Sequence, residues 1–180
     1  MPSHPNRRVQ PGSAHGSTTL CRNIADDKFV SCFYGVLDAT RRVLVYSNAG
    51  HPPPILMRNS GPPVRLTEGG LVLGVSPESR YEEGALSLHP DDRLLLFTDG
   101  ITEAANANQD EYGDDRIQLL AKEHIADNAS ELMARVMADA SQFCQGQFAD
   151  DATMIVLAVV PARQPQQAFT QAAASYSVAP

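Results

Sequence analysis

The sequence contains no tryptophan, few aromatic residues and only three cysteines. Cys21, Cys32 and Cys144 are widely spaced, which matches neither a disulfide framework nor a zinc-binding pattern. Residues 1–19 are polar and lack the apolar segment of a signal peptide. No apolar run approaches the roughly 18 residues that a membrane span needs. We therefore expect a protein of the cytoplasm, without membrane insertion.

Positive charge is also scarce. Lys and Arg number 14 against 21 Asp and Glu, which gives a net charge of −7. Proteins that bind nucleic acids need clustered basic side chains for the phosphates, so no nucleic-acid partner is expected. The length of 180 residues and a hydrophobic content of 43% suit one domain with a real core.

Two terminal segments differ in composition from the rest. Proline and glycine interrupt any periodicity in residues 1–18, and Gln, Ala, Ser and Pro dominate residues 161–180. Both compositions are typical of disorder. The ordered domain is therefore predicted to cover residues 19–160.

Strand-like apolar runs dominate this domain. A turn of five residues joins the first two runs into a hairpin, and a second turn joins two shorter runs. Two later runs are almost continuously apolar, which suits strands covered on both faces. In order, the six runs are 29–37, 43–47, 55–58, 64–66, 93–98 and 153–160.

Helical periodicity is confined to the region between the last two strands. One helix is predicted over 116–124, with Asp114 or Asp115 as its cap, and a second helix follows with Ser130 as its cap. The order of elements predicts an α+β layered sandwich. The apolar stripe of the second helix comprises Leu132, Met133, Val136, Met137, Ala140 and Phe143.

Asp99 is the first candidate for chemistry. It follows a buried strand and precedes Gly100. A carboxylate at a strand end is accurately placed and is a good ligand for a hard cation. The alternative is that Asp-Gly merely forms a turn.

Asp150 and Asp151 form the second candidate, because adjacent carboxylates repel each other unless a cation or donors neutralise them. The alternative is a solvated turn before a strand. His51, on a stiff proline-rich loop, could contact a phosphate or a metal-bound water or act as an acid. It could equally be a loop histidine that bonds to the backbone.

The sequence lacks the motifs of several other classes of hydrolase. No cysteine is followed by arginine six positions later, and no Gly-x-Ser-x-Gly elbow or P-loop is present. The pair Asp150-Asp151 also lacks the Asp-x-Asp spacing of phosphatases with an aspartate nucleophile.

Taken together, several segments resemble SpoIIE-type phosphatases, the sigma-factor regulators of the PPM family of metal-dependent serine/threonine phosphatases. The resemblance covers about residues 20–160, and its specificity comes from several motifs in the right order. The segments are 29–38 (FVSCFYGVLD), 46–54 (YSNAGHPPP), 73–75 (LGV), 91–104 (DDRLLLFTDGITEA) and 150–157 (DDATMIVL).

The resemblance implies a sandwich of the α/β/β/α type that binds two Mn²⁺ or Mg²⁺ ions. It implies hydrolysis of phosphoserine or phosphothreonine by a metal-activated water, with an anti-anti-sigma factor as a typical substrate. In that scheme Asp99 and Asp150 are metal ligands and act in catalysis through the metal-bound water. Gly100 permits the tight turn, Asp151 replaces a polar neighbour, and His51 stays a loop element beside the site. We expect the carboxylates of Asp99 and Asp150 to converge.

One departure is large. The strand and turn that carry the family's metal-bridging Asp, usually upstream of this region, find no match, so the domain looks incomplete at its N-terminus. Metal binding is then expected to be weak or limited to one ion. The alternative function is an impaired or vestigial phosphatase domain that acts as a protein-binding regulatory module.

Overall fold

The computed structural model describes residues 28–161, and these form eight strands and three helices. The segment 1–18, predicted to be disordered, lies outside the described residues, as does the predicted tail 161–180 except for its first residue. In chain order the elements are β1 Cys32–Asp38, β2 Val43–Ala49, β3 Ile55–Met57, β4 Val64–Arg65, β5 Gly69–Gly70, β6 Gly84–Ser87, β7 Arg93–Phe97, α1 Asp99–Thr102, α2 Gly113–Glu123, α3 Ala129–Phe143 and β8 Met154–Ala158.

The first sheet is built on the predicted hairpin. Strands β1 and β2 pair antiparallel along their whole length, from Cys32 opposite Ala49 to Asp38 opposite Val43, which confirms that prediction. On the other side of β2, β6 pairs antiparallel and β5 pairs parallel, each with a different part of the strand. The short strands β5 and β6 were not predicted.

The second sheet has the order β4-β3-β7-β8, and all its pairs are antiparallel. The β3–β4 pair confirms the predicted turn between 55–58 and 64–66. One prediction for this sheet is wrong: β8 is not covered on both faces. Among the strands of residues 28–161 it is the last one of this sheet, and Ile155 is 58% exposed whereas Met154 is buried.

Side chains on the two faces of the second sheet contribute to two different hydrophobic cores. Leu56 and Leu94 point toward the first sheet, where they pack in a cluster with Leu44 and Tyr46. Their neighbours Ile55, Met57, Leu95 and Phe97 point the other way and pack on the buried residues of α2 and α3. Successive side chains of a strand face opposite sides of the sheet, so one sheet joins both cores. The described residues thus form a β/β/α layering, which confirms the α+β sandwich.

The helix caps differ from the predictions. The residue before α2 is Tyr112, whose side chain makes no cap bond, while Asp114 and Asp115 lie inside the first turn. The Asn128 side chain caps α3 by accepting a bond from the Glu131 backbone amide, and the Glu131 carboxylate in turn accepts a bond from the Asn128 backbone amide. Ser130 is therefore not the cap, because the helix starts before it.

The apolar stripe of α3 is narrower than predicted. Leu132, Val136 and Ala140 are fully buried, whereas Met133 is 37% exposed. Residues spaced by four positions, such as Leu132 and Val136, lie on the same face of a helix, whereas Met133, one position after Leu132, lies about 100° around it. Among residues 28–161, no helix combines the length and apolar character needed to cross a membrane.

Candidate metal centre

Asp99 stands directly beyond the central strand β7. The strand is anchored by Leu95 and Phe97, both buried, and the chain then enters the short helix α1 at Asp99 itself. The Asp99 residue is exposed, and its Oδ1 accepts a hydrogen bond of 3.0 Å from the Gly100 amide. The four-residue helix was not predicted, and it gives the Asp99 backbone carbonyl a partner in the Glu103 amide at 2.8 Å.

Asp150 and Asp151 arrive at the same place from the other direction. Because β7 and β8 are antiparallel with Phe97 opposite Met154, the residues after Phe97 and those before Met154 lie at one end of the sheet. Both aspartates are exposed, and Asp150 Oδ1 accepts a bond of 2.7 Å from the Asp151 amide.

Gly100 shows how closely the two segments approach. A Cβ atom added at Gly100 would lie 2.6 Å from the Asp151 carbonyl oxygen and 3.0 Å from that of Asp150. Any side chain at position 100 would therefore push the two segments apart. The backbone juxtaposition of Asp99 with Asp150 and Asp151 is a feature of the structure, while the convergence of their carboxylates stays a prediction.

The His51 loop begins at the same end of the second sheet. Ile55 pairs with Leu95 in antiparallel register, so the residues before Ile55 lie toward the end at which β7 enters α1. Buried Asn48 fixes the loop: its Oδ1 accepts a bond of 2.8 Å from the His51 amide, and its Nδ2 donates to the His51 carbonyl at 2.9 Å. The His51 ring Nδ1 lies 3.3 Å from Ser31 Oγ. The sequence singled out His51 but not Asn48, whose role depends on its burial.

The opposite end of β7 holds a different aspartate. Asp92 is 1% exposed; its Oδ2 contacts the Arg58 guanidinium and accepts a bond of 2.8 Å from the His89 amide. The adjacent Arg93 is also buried and donates two bonds to the Asp127 carbonyl. These charges are satisfied by the protein itself, so this end of the strand is structural.

Asp139 on α3 forms hydrogen bonds that connect α3 to α2. Asp139 accepts bonds from Arg116 at 2.7 and 3.1 Å and from the Tyr112 hydroxyl at 2.8 Å. The Arg116 hydrogen bonds hold the pKa of the Asp139 carboxyl below its usual range. Burial, and then the bond to Asp139, raise the pKa of Tyr112.

The possible metal ligands at the Asp99 end of the second sheet are carboxylate and carbonyl oxygens, which Mn²⁺ and Mg²⁺ prefer. Their number is small: residues 28–161 contain no group of three or more Asp, Glu, His or Cys side chains arranged to hold a metal. The exposed oxygens of Asp99, Asp150 and Asp151 thus have the right chemistry for part of such a site, whereas residues 28–161 do not hold a complete ligand set.

Solved structures define the class of fold. The manganese-presoaked phosphatase domain of SpoIIE from Bacillus subtilis matches with a TM-score of 0.65 at 18% identity, over 84% of this chain and 66% of that one. The same SpoIIE domain is a PP2C phosphatase domain. The chain thus has the fold of the PP2C, or PPM, phosphatases.

Sequence comparison then defines the family. The family model for stage II sporulation protein E (SpoIIE) matches residues 13–160, and the chain belongs to this family. Protein IcfG of Synechocystis sp. is 30% identical over 135 residues, which are 72% of this chain and 20% of IcfG. Phosphoserine phosphatase RsbU of Bacillus subtilis is 29% identical over 160 residues, 87% of this chain and 48% of RsbU. The chain spans about half of RsbU and about a fifth of IcfG.

Proposed function

We propose that this protein is a metal-dependent serine/threonine phosphatase. It removes phosphate from phosphoserine or phosphothreonine on a regulatory protein of the cytoplasm, such as an anti-anti-sigma factor. The observation that carries the proposal is the close backbone approach of the Asp99 turn and the Asp150-Asp151 segment at one end of the second sheet. Membership of the SpoIIE family and the similarity to phosphoserine phosphatase RsbU support the reaction type.

Asp99 and Asp150 would hold the Mn²⁺ or Mg²⁺ ion. When bound, such an ion supplies a Lewis acid that polarises a phosphoryl oxygen and lowers the pKa of a coordinated water. The two carboxylates would contribute negative charge and hard oxygen ligands, and within residues 28–161 no group of three or more Asp, Glu, His or Cys side chains is arranged to hold a metal. Cation affinity rises with the number of charged ligands. We therefore expect this chain to bind cations more weakly than an enzyme with a full ligand set.

The exposure of the site suits a protein substrate. Asp99, Asp150 and Asp151 are all exposed, and they lie at one end of the second sheet. A phosphoserine side chain is short, so a phosphatase that acts on a folded protein needs its reactive groups at the surface. A small metabolite would instead gain affinity from a concave site that buries most of it.

His51 and Asp151 have accessory places in this proposal. The His51 loop begins at the same sheet end, and its Nδ1 partner Ser31 orients the ring. We assign it to contact with the phosphate or the substrate rather than to cation binding. Asp151 contributes through its backbone carbonyl, which accepts a bond from Thr98 Oγ1 at 2.7 Å.

The test is Mn²⁺-dependent hydrolysis of a generic phosphate ester and then of a phosphorylated anti-anti-sigma protein. The chain should be assayed as it is and in a version extended by the strands that carry the family's bridging aspartate. Asp99→Ala is the matched control in each background. We expect weak turnover by the chain alone, higher turnover by the extended version, and loss of both in Asp99→Ala.

Two results would change this proposal. Equal turnover by both versions, abolished by Asp99→Ala, would show that the bridging aspartate is dispensable here. Absence of Asp99-dependent turnover in both versions would contradict the phosphatase proposal and favour the protein-binding regulatory module.

A further inference from the structure

We propose that Thr98 is a positioning residue of the cation site. Its hydroxyl locks the Asp99 turn onto the Asp150-Asp151 segment and thereby sets the affinity for the cation. This inference rests on the proposed function, because it assumes that Asp99 and Asp150 are cation ligands. Thr98 itself is not a ligand in this proposal.

The Thr98 hydroxyl uses both of its hydrogen-bonding capacities on the opposite segment. Oγ1 donates to the Asp151 carbonyl at 2.7 Å and accepts from the Thr153 amide at 2.9 Å. The Thr98 amide also donates to the Thr153 carbonyl at 3.0 Å. One residue therefore makes three bonds to the two residues that flank Ala152.

These bonds begin where regular strand pairing ends. The β7–β8 ladder stops at the pair Phe97 and Met154. In the next pair, the Thr153 amide bonds to the Thr98 side chain instead of to its carbonyl, which the regular antiparallel pattern would use. The ladder alone thus does not reach the aspartates, and the hydroxyl extends the connection between the segments by one step.

The Asp99 turn is fixed from both of its sides. Thr98, which precedes Asp99, bonds to the Asp151 carbonyl oxygen. Gly100, which follows Asp99, lies so close to the same oxygen that an added Cβ would come within 2.6 Å of it. Asp99 lies between these two contacts, and Asp150 is the neighbour of Asp151. A change in either contact alters the spacing between the two carboxylate-bearing segments.

A cation site is sensitive to such a change. Carboxylate oxygens must approach Mn²⁺ or Mg²⁺ to roughly 2.0–2.2 Å, so small displacements of one ligand weaken binding. Outer-shell partners that orient ligands typically contribute about 10- to 100-fold to metal affinity. The Thr98 side chain lies next to Asp99 and bonds to the backbone of the segment that carries Asp150. Thr98 is therefore placed as an outer-shell residue of the proposed cation site.

Three substitutions in the full chain separate this role from general stability. Thr98→Val keeps the shape and the branched Cβ but removes both hydroxyl bonds. Thr98→Ser keeps the hydroxyl, so it is the conservative rescue. Thr153→Val makes the same chemical change directly across the ladder, at an exposed residue whose amide, not its side chain, bonds to Thr98.

The measurements are the hydrogen exchange of the Thr153 amide and the Mn²⁺ affinity from paramagnetic broadening of the amide signals of residues 99–101 and 150–153. Thr98→Val should speed exchange at Thr153 and weaken Mn²⁺ binding about 10- to 100-fold. Thr98→Ser and Thr153→Val should stay within about threefold of the wild type, well below an outer-shell loss.

The outcomes distinguish the two proposals. If the wild type binds Mn²⁺ in an Asp99-dependent manner and Thr98→Val binds equally well, the role of Thr98 is refuted while the cation site stands. If Thr98→Ser loses as much affinity as Thr98→Val, the hydroxyl is not the cause and the inference fails. If Mn²⁺ broadens the signals of the wild type no more than those of Asp99→Ala, both the cation site and the role of Thr98 are refuted.

Discussion

The two ends of strand β7 each carry an aspartate, and the two are used in opposite ways. Asp92 is 1% exposed and is bonded to Arg58 and to the His89 amide. Asp99 is exposed, and within the described residues its carboxylate accepts only the bond from the neighbouring Gly100 amide. The same type of side chain is thus a buried structural group beyond one end of β7 and an exposed carboxylate beyond the other, where we propose that it binds a cation.

Solvation explains the difference. A buried carboxylate must be paired and hydrogen-bonded because its desolvation costs several kcal/mol. Once Arg58 and the turn at His89 have satisfied Asp92, it has little capacity left for a ligand. An exposed carboxylate keeps its water, and exchanging that water for a cation is a smaller step. Burial and partners, rather than residue type, therefore decide which aspartate can take part in chemistry.

The largest effect is expected at the structural end. Asp92→Ala removes the carboxylate partner of the half-buried Arg58 guanidinium. Among the described residues that guanidinium then keeps only the Ser87 carbonyl and the His89 ring as partners. We expect the free energy of unfolding to fall by about 3–5 kcal/mol. Urea denaturation measures this change. Asp91→Asn is the matched control, because Asp91 is exposed and has φ of 68°, which asparagine tolerates.

A loss below about 1 kcal/mol in Asp92→Ala, within the range of ordinary exposed ion pairs, would remove the distinction between the two ends of β7. A loss in Asp91→Asn as large as that in Asp92→Ala would show that the turn itself, and not the buried pair, carries the stability.

A smaller effect is expected from Gly100→Ala, beside the proposed cation site. The added Cβ would lie 2.6 Å from the Asp151 carbonyl oxygen, so the two segments must separate. We expect destabilisation of about 1–3 kcal/mol, as for overpacking, together with weaker Mn²⁺ binding. Gly61→Ala is a useful comparison, because no atom lies within 4 Å of its added Cβ, although its φ of 115° adds backbone strain. Unchanged Mn²⁺ binding in Gly100→Ala would argue that the close approach is irrelevant to the site.

A still smaller loss of stability is expected at Asp139, whose exposure lies between that of Asp92 and that of Asp99. Its carboxyl is partly exposed and its pKa is lowered, mainly by the Arg116 hydrogen bonds. A lowered pKa in the folded state stabilises the protein above the unfolded pKa of about 3.9, and this contribution disappears as the pH falls through the folded value. Asp139→Asn should cost about 0.5–1 kcal/mol at pH 7.

The pH dependence is the sharper part of that prediction. The difference in unfolding free energy between wild type and Asp139→Asn should shrink as the pH falls below about 4. Denaturation at several pH values between neutral and acidic measures it. A difference that stays constant over this range would show that the charge of Asp139 contributes nothing.

Local patterns in the sequence predicted much of this fold. Alternation and turn residues indicated the β1–β2 hairpin, the β3–β4 pair and the buried strand before Asp99. Helix α1 was missed because four residues are too few to show a helical period. The exposure of β8 was missed because it depends on sheet order, which a single run of apolar residues does not reveal.

Long-range contacts also lay beyond the sequence. The partner of Asp92 is 34 residues away in the chain, and the Thr98 hydroxyl bonds to an amide 55 residues away. Single-sequence patterns report spacing along the chain but not which segments become neighbours. Asp99 and Asp150 could be named because they belong to motifs that resemble a family, whereas the contacts between their segments required the structure.

We propose that Asp99 is a cation ligand rather than a structural group. The most direct test compares wild type and Asp99→Asn, with Mn²⁺ affinity from paramagnetic broadening and the free energy of unfolding in EDTA measured on the same samples. We predict that Mn²⁺ affinity falls more than about 100-fold, beyond the loss for an outer-shell residue. The free energy of unfolding should change by less than about 0.5 kcal/mol. Unchanged Mn²⁺ affinity, or destabilisation as large as that of Asp92→Ala, would contradict the claim.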